Sequence, residues 1–266
     1  MPQNRSPIDY VARVGLSAKG FVYVLLGLLA FMAAFHLSDQ SAGSTDKTGV
    51  FQFIEKQPGG KVMLAALAIG LICYVLWRFF QALFMQPHSD VKSKHLAKRF
   101  RYFFSGVAYS AVAFSVIKRL FASRGGSGDS WQRAADALLN KPYGPVLVGA
   151  IAMVLLSLGL YQIYYGFSEK YKKHINSALP AEHRNLVLKA GKIGYLARGI
   201  VWLLMSILFF RAAIYSNPSH AGDTSKAFQF LKDASLGTYL LAAVALGLIC
   251  YGVFNFIRAR YEAFHD

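Results

Sequence analysis

Six stretches of this chain are each long and apolar enough to cross a lipid bilayer, a crossing that takes about 20 residues of helix. They cover 15–37, 62–84, 102–121, 145–167, 193–214 and 235–257. Lipid offers no partner to a backbone amide or carbonyl, so each stretch must satisfy its own groups as a helix. The fourth and sixth are the cleanest, with no charged residue from 142 to 168 or from 234 to 257. The second, third and fifth carry Arg78, Lys118 with Arg119, and Arg198 with Arg211. Apolar side chains make up 55% of the 266 residues, above the level of about 45 to 50% usual for soluble domains. The fold class expected is all-α, a polytopic membrane protein of six transmembrane helices in a single domain, 1–266.

The spans are related. Gly70-Leu71-Ile72-Cys73-Tyr74 returns as Gly247-Leu248-Ile249-Cys250-Tyr251, and around it Phe51-Gln52-Phe53 matches Phe228-Gln229-Phe230 and Gly60 matches Gly237. A weaker middle copy keeps Gly106 and Tyr109 against Gly20 and Tyr23, and Gly144 against Gly60. Three copies of one unit follow, at 11–86, 97–167 and 190–262. Each holds two spans, so every copy enters from the same side. Parallel copies relate by an axis along the membrane normal, which predicts a pseudo-threefold arrangement of three hairpins.

Between the two spans of each unit lies a short amphipathic stretch: 48–56, 130–140 and 223–233. Each reads as a helix at the outer interface, packed as a connector or lying over a cavity. Ser130, and Asp223 or Thr224, have the chemistry of N-caps.

The net charge of +16 could mark nucleic acid, an anionic membrane face or an acidic ligand. Its placement favours the membrane. Arg5, Arg13 and Lys19 flank the first span; Lys92, Lys94, Lys98, Arg99 and Arg101 lie between the second and third; Lys170, Lys172, Lys173, Arg184, Lys189 and Lys192 lie between the fourth and fifth. The alternate connections hold fewer cations, among them Lys47, Arg124, Arg133 and Lys226, together with much of the acid. Under the positive-inside rule both termini are cytoplasmic. Anionic phospholipid headgroups are then the natural partners of the basic face, and nucleic acid is not expected. A membrane-protein partner or a homo-oligomer is compatible with this surface.

The N-terminus has the charge and apolar run of a signal peptide. However, Gly15-x-x-Ala18-Lys19-Gly20-x-Val22 recurs as Gly194-x-x-Ala197-Arg198-Gly199-x-Val201, so the first run is a member of the repeat and is expected to stay in the mature protein.

These openings resemble the DUF1206 family, bacterial membrane proteins built from tandem two-helix repeats. The Gly-aromatic-x-Ala-Arg-Gly pattern is fullest at Gly194-Tyr195-Leu196-Ala197-Arg198-Gly199. It is degenerate at Gly15-Leu16-Ser17-Ala18-Lys19-Gly20 and departs further at Arg101-Tyr102-Phe103-Phe104-Ser105-Gly106. The resemblance implies a six-span protein of the bacterial plasma (inner) membrane and carries no activity with it.

Two sets of equivalent polar positions are candidates for ligand binding or pore lining. Lys19, Ser105 and Arg198 adjoin the recurrent glycines, where two cations and a hydroxyl could receive a phosphate or carboxylate; snorkelling to headgroups and close helix packing are the simpler alternatives. Arg78, Gln162 and Asn255 lie four to six residues inside the inner ends of the even-numbered spans, roughly 6 to 9 Å deep at 1.5 Å per residue. Polar groups at that depth face the bundle or water rather than lipid. Cys73, Ser157 and Cys250 also coincide, and read as small residues at a packing seam.

No catalytic residue, metal ligand set or cofactor motif is expected: a Walker loop, a zincin pair and a nucleophile elbow are all missing, and few acids lie near the spans. The reading is a non-enzymatic structural or interaction protein whose basic loops meet anionic lipid. The alternative is a small carrier or channel for an anionic solute, using the polar groups near the repeat axis.

Overall fold

The computed structural model describes residues 7–37, 45–84, 92–121, 130–174 and 181–262. Arg5 and Arg124, counted above for charge, lie outside these residues. Among the described residues the regular structure is entirely helical. Along the described residues the α-helices run long, short, long in each copy: α1 Pro7–Ala34, α2 Lys47–Glu55, α3 Gly60–Phe84, α4 Lys92–Phe121, α5 Ser130–Leu139, α6 Gly144–Phe167, α7 Ala181–Ile214, α8 Thr224–Lys232 and α9 Gly237–Tyr261. Six of them, α1, α3, α4, α6, α7 and α9, are long and apolar enough to cross a membrane.

Three of the six, α3, α6 and α9, match the apolar stretches closely. The first, third and fifth do not: α1 begins at Pro7 rather than 15, α4 at Lys92 rather than 102, and α7 at Ala181 rather than 193. Hydropathy sees only the part of a helix that is apolar. In α4 and α7 the helix continues outward through segments that include Lys, Arg, Leu and Ala, all good helix formers. The basic connections are thereby mounted on helix ends.

The three short helices occupy the expected amphipathic stretches. Asp46 starts α2, its carboxylate accepting from the Gly49 amide at 2.6 Å. Asp223 caps α8 in the same way, accepting from Ser225 and Lys226 at 2.8 and 3.4 Å. Of the two caps considered there, Asp223 takes the role and Thr224 is the first helical residue. Each short helix then returns into a span through the same tight turn, which closes with amide bonds from Gly60 to Gln57, Gly144 to Lys141 and Gly237 to Ala234, all 2.8 to 2.9 Å. A Cβ on any of these three glycines would collide with carbonyl groups ending the short helix. That is the physical reason the glycine recurs in all three copies.

The chain divides into two compact units, one of 1–21, 51–125 and 255–266, the other of 22–50 and 126–254. In the first, α3 lies along α4 and the start of α1 crosses α3. Arg13 binds the carbonyls of Ala259 and Arg260 at 3.0 and 2.6 Å, which satisfies acceptors left over at the end of α9. Arg258 and Glu262 form a buried two-point ion pair at 2.8 and 2.9 Å. In the second unit α6 lies along α7, and the Ser206 hydroxyl donates to the Ala152 carbonyl between them at 2.9 Å. The Lys232 ammonium donates to the Ala33 carbonyl, 2.8 Å away, at the end of α1.

Candidate functional site

The recurrent pentapeptide marks where two helices of one hairpin cross. In the first unit a Cβ on Gly15 of α1 would lie 2.5 Å from the Cα of Tyr74 in α3, while Gly70 of α3 would meet the Ala18 methyl of α1, also at 2.5 Å. The second unit repeats the contact with Gly194 against Tyr251 and Gly247 against Ala197. Lipid tails are as apolar as the helix faces, so such close backbone approach supplies the van der Waals contact that holds membrane helices together.

The crossing also brings a cation onto a tyrosine. Lys19 sits one turn above Gly15, and its ammonium donates to the buried Tyr74 hydroxyl at 3.2 Å. Arg78, one turn further along α3 than Tyr74, donates to the same oxygen at 2.8 Å and to Gln81 at 2.7 Å. Ser105 of α4 places its hydroxyl 3.5 Å away. In the equivalent crossing Arg198 donates to the Tyr251 hydroxyl at 2.5 Å. Three residues drawn from both polar sets, Lys19, Ser105 and Arg78, thus gather on Tyr74, which the sequence reading passed over. The signal was present: both copies of the pentapeptide end in tyrosine, and α1 and α7 each carry a cation four residues past the crossing glycine.

These cations are held by rings as well as by hydrogen bonds. The Arg78 guanidinium lies 4.4 Å from the centre of the Trp77 ring, 4.9 Å from Tyr74 and 5.4 Å from Tyr102. The Lys19 ammonium is 5.0 Å from Tyr74 and 5.4 Å from Tyr109; the Arg198 guanidinium is 5.1 Å from Tyr251 and 5.5 Å from Tyr23. A cation in a bilayer helix costs about 2.5 to 3.5 kcal/mol on insertion scales. A ring face returns about 0.5 to 2 kcal/mol, more when water is excluded. Two or three faces together with a charge-assisted hydrogen bond are enough to hold each cation in place.

The other candidates lie elsewhere. Asn255 is fully buried in α9 and Gln162 is half-buried in α6. The middle copy has Leu158 at the position of Tyr74 and Tyr251, and so builds no junction of this kind. Cys73 and Cys250 are free thiols, and the Ser157 hydroxyl donates to the Met153 carbonyl one turn back at 2.8 Å. Arg198 also borders a cavity of about 70 Å³ within the second unit.

Six spans in three tandem copies, each copy with a short amphipathic helix between its spans, define a multi-pass helical membrane protein of tandem repeats. The family model described as Domain of Unknown Function (DUF1206) matches the chain three times, at 14–85, 100–169 and 193–262, and the chain belongs to that family. It is similar to an uncharacterised protein, YxxB, of Bacillus subtilis (strain 168), with 27% identity over 257 residues covering 96% of this chain and 91% of the relative. No solved structure matches.

Proposed function

We propose that this protein is a non-enzymatic module of the bacterial plasma membrane that binds anionic phospholipid headgroups at the face where its basic helix ends emerge. The observation that supports this most is the outward continuation of α4 and α7 beyond their apolar segments. Lys92, Lys94, Lys98, Arg99 and Arg101 belong to one of these extensions and Arg184, Lys189 and Lys192 to the other. A helix that runs on from a span brings these sequence positions to the zone where cations meet headgroups. Each contributes about 1 kcal/mol at an anionic surface. By the positive-inside rule these extensions and both termini of the chain face the cytoplasm.

The test is thermal unfolding in nanodiscs whose phosphatidylglycerol content is raised at the expense of phosphatidylcholine. The expected result is a rise in the unfolding midpoint that weakens with salt and is reduced by Lys92→Gln, Lys94→Gln and Lys98→Gln together. Equal midpoints in both lipids would remove the basis for the reading.

A further inference from the structure

The cavity beside Arg198 is assembled from equivalent positions of the repeat. Lys47, Trp131 and Thr224 stand at the same distance ahead of the turn glycines Gly60, Gly144 and Gly237, so each copy contributes the same place near the start of its short helix. Tyr23 and Trp202 likewise hold one place after Gly20 and Gly199, and both line the cavity. On α7, Arg198, Trp202 and Met205 share one helical face over about 10 Å, with Arg198 at one end of that stripe.

The chemistry of this lining is one-sided. Lys, Arg and Trp side chains donate hydrogen bonds and accept none, while Tyr and Thr hydroxyls can do either. Among the described residues lining the cavity none is acidic. Asp46 and Asp223 are chain neighbours of Lys47 and Thr224, and one oxygen of each accepts from the amides of the helix that it caps. A guest would therefore meet donors and positive charge. The volume of about 70 Å³ is far below the roughly 300 Å³ at which pockets for drug-sized ligands begin. It has room for one small ion with little water.

We propose that this cavity is a binding site for a single small inorganic anion of halide or nitrate size, held by Arg198 and Lys47 against the indole and hydroxyl groups around them. The site lies inside the second unit, and its test is independent of the lipid reading above.

The protein carries its own reporter, because two of its three tryptophans, Trp131 and Trp202, line the site and Trp77 does not. The experiment is a tryptophan-fluorescence titration of the Trp77→Phe protein in phosphatidylcholine nanodiscs, replacing gluconate by chloride or by bromide at constant ionic strength. The expected result is a saturable change whose half-saturating concentration rises at least tenfold in both Arg198→Gln and Lys47→Gln. Should Arg198→Gln fail to fold, as judged by its far-ultraviolet circular dichroism, Lys47→Gln decides. A response linear in anion concentration, or a saturable one unaltered by these substitutions, would overturn the proposal. A saturable response seen only with phosphatidylglycerol present would also overturn it, since the occupant would then be a lipid headgroup rather than a free ion.

Discussion

The Cβ that Gly194 lacks would stand 2.6 Å from the Cα of Tyr251. The obstacle is backbone, so no change of rotamer relieves it. The same relationship joins Gly15 to Tyr74, at 2.5 Å, and both crossings are reinforced by a small-residue contact from the opposite helix, Ala18 on Gly70 and Ala197 on Gly247.

Gly194→Ala must therefore push α7 and α9 apart, and overpacking of this kind costs about 1 to 3 kcal/mol. Gly149→Ala is the control: its Cβ would meet only the Ala213 methyl, at 3.9 Å, and alanine is the better helix former by about 1 kcal/mol. Unfolding followed by circular dichroism in detergent should show the first variant destabilised and the second unchanged or stabilised. Equal effects would contradict the crossing.

Tyr251→Phe keeps the ring under Arg198 and removes the acceptor, for an expected loss of about 1.5 to 3 kcal/mol, the range for hydrogen bonds to charged groups. Tyr74→Phe should lose more, since Lys19 and Arg78 both donate to that oxygen. A double-mutant cycle between Lys19→Met and Tyr74→Phe measures the coupling. Additive effects would mean that the pair contributes nothing.

Asp223→Ala leaves the amides of Ser225 and Lys226 without their cap, and loss of such a cap costs about 1 kcal/mol. Hydrogen exchange should rise first at the start of α8, ahead of any change in α7 or α9. Simultaneous loss of protection throughout the unit would show that α8 does not open on its own.

The alternation of spans and amphipathic connectors was legible because lipid imposes one secondary structure and one length on every crossing. Helix ends were not, because a helix passing from lipid into headgroups loses its apolar signature at Tyr102 while its backbone runs on from Lys92. The candidate site was half legible. Lys19, Arg78, Ser105 and Arg198 could be picked out as polar groups at unfavourable depth, but their common partner could not, since tyrosine is unremarkable in an apolar helix. Lys47, Trp131 and Thr224 were hidden for a different reason. They are equivalent by position and unlike in chemistry, so only the cavity they share reveals the relation.

Tyr171 supplies a pH test outside the spans. Its hydroxyl donates to the Leu188 carbonyl at 2.8 Å, and burial, with Glu169 and Tyr165 nearby, pushes its pKa up to about 12 from the usual value near 10. A raised folded-state pKa means that the unfolded chain loses this proton first as pH rises. The contribution of Tyr171 is thus complete below about pH 10 and is lost between about pH 10 and 12. Tyr171→Phe should flatten the decline in unfolding midpoint across that window; an unchanged slope would place the dependence on other groups.

The measurement that bears most directly on the proposed role is native mass spectrometry of the protein released from nanodiscs of mixed phosphatidylglycerol and phosphatidylcholine. The account predicts retained lipid enriched in phosphatidylglycerol over the bulk ratio, with the enrichment falling when the lysines and arginines of 92–101 are replaced by glutamine. Retained lipid at the bulk ratio in the unmodified protein would contradict it.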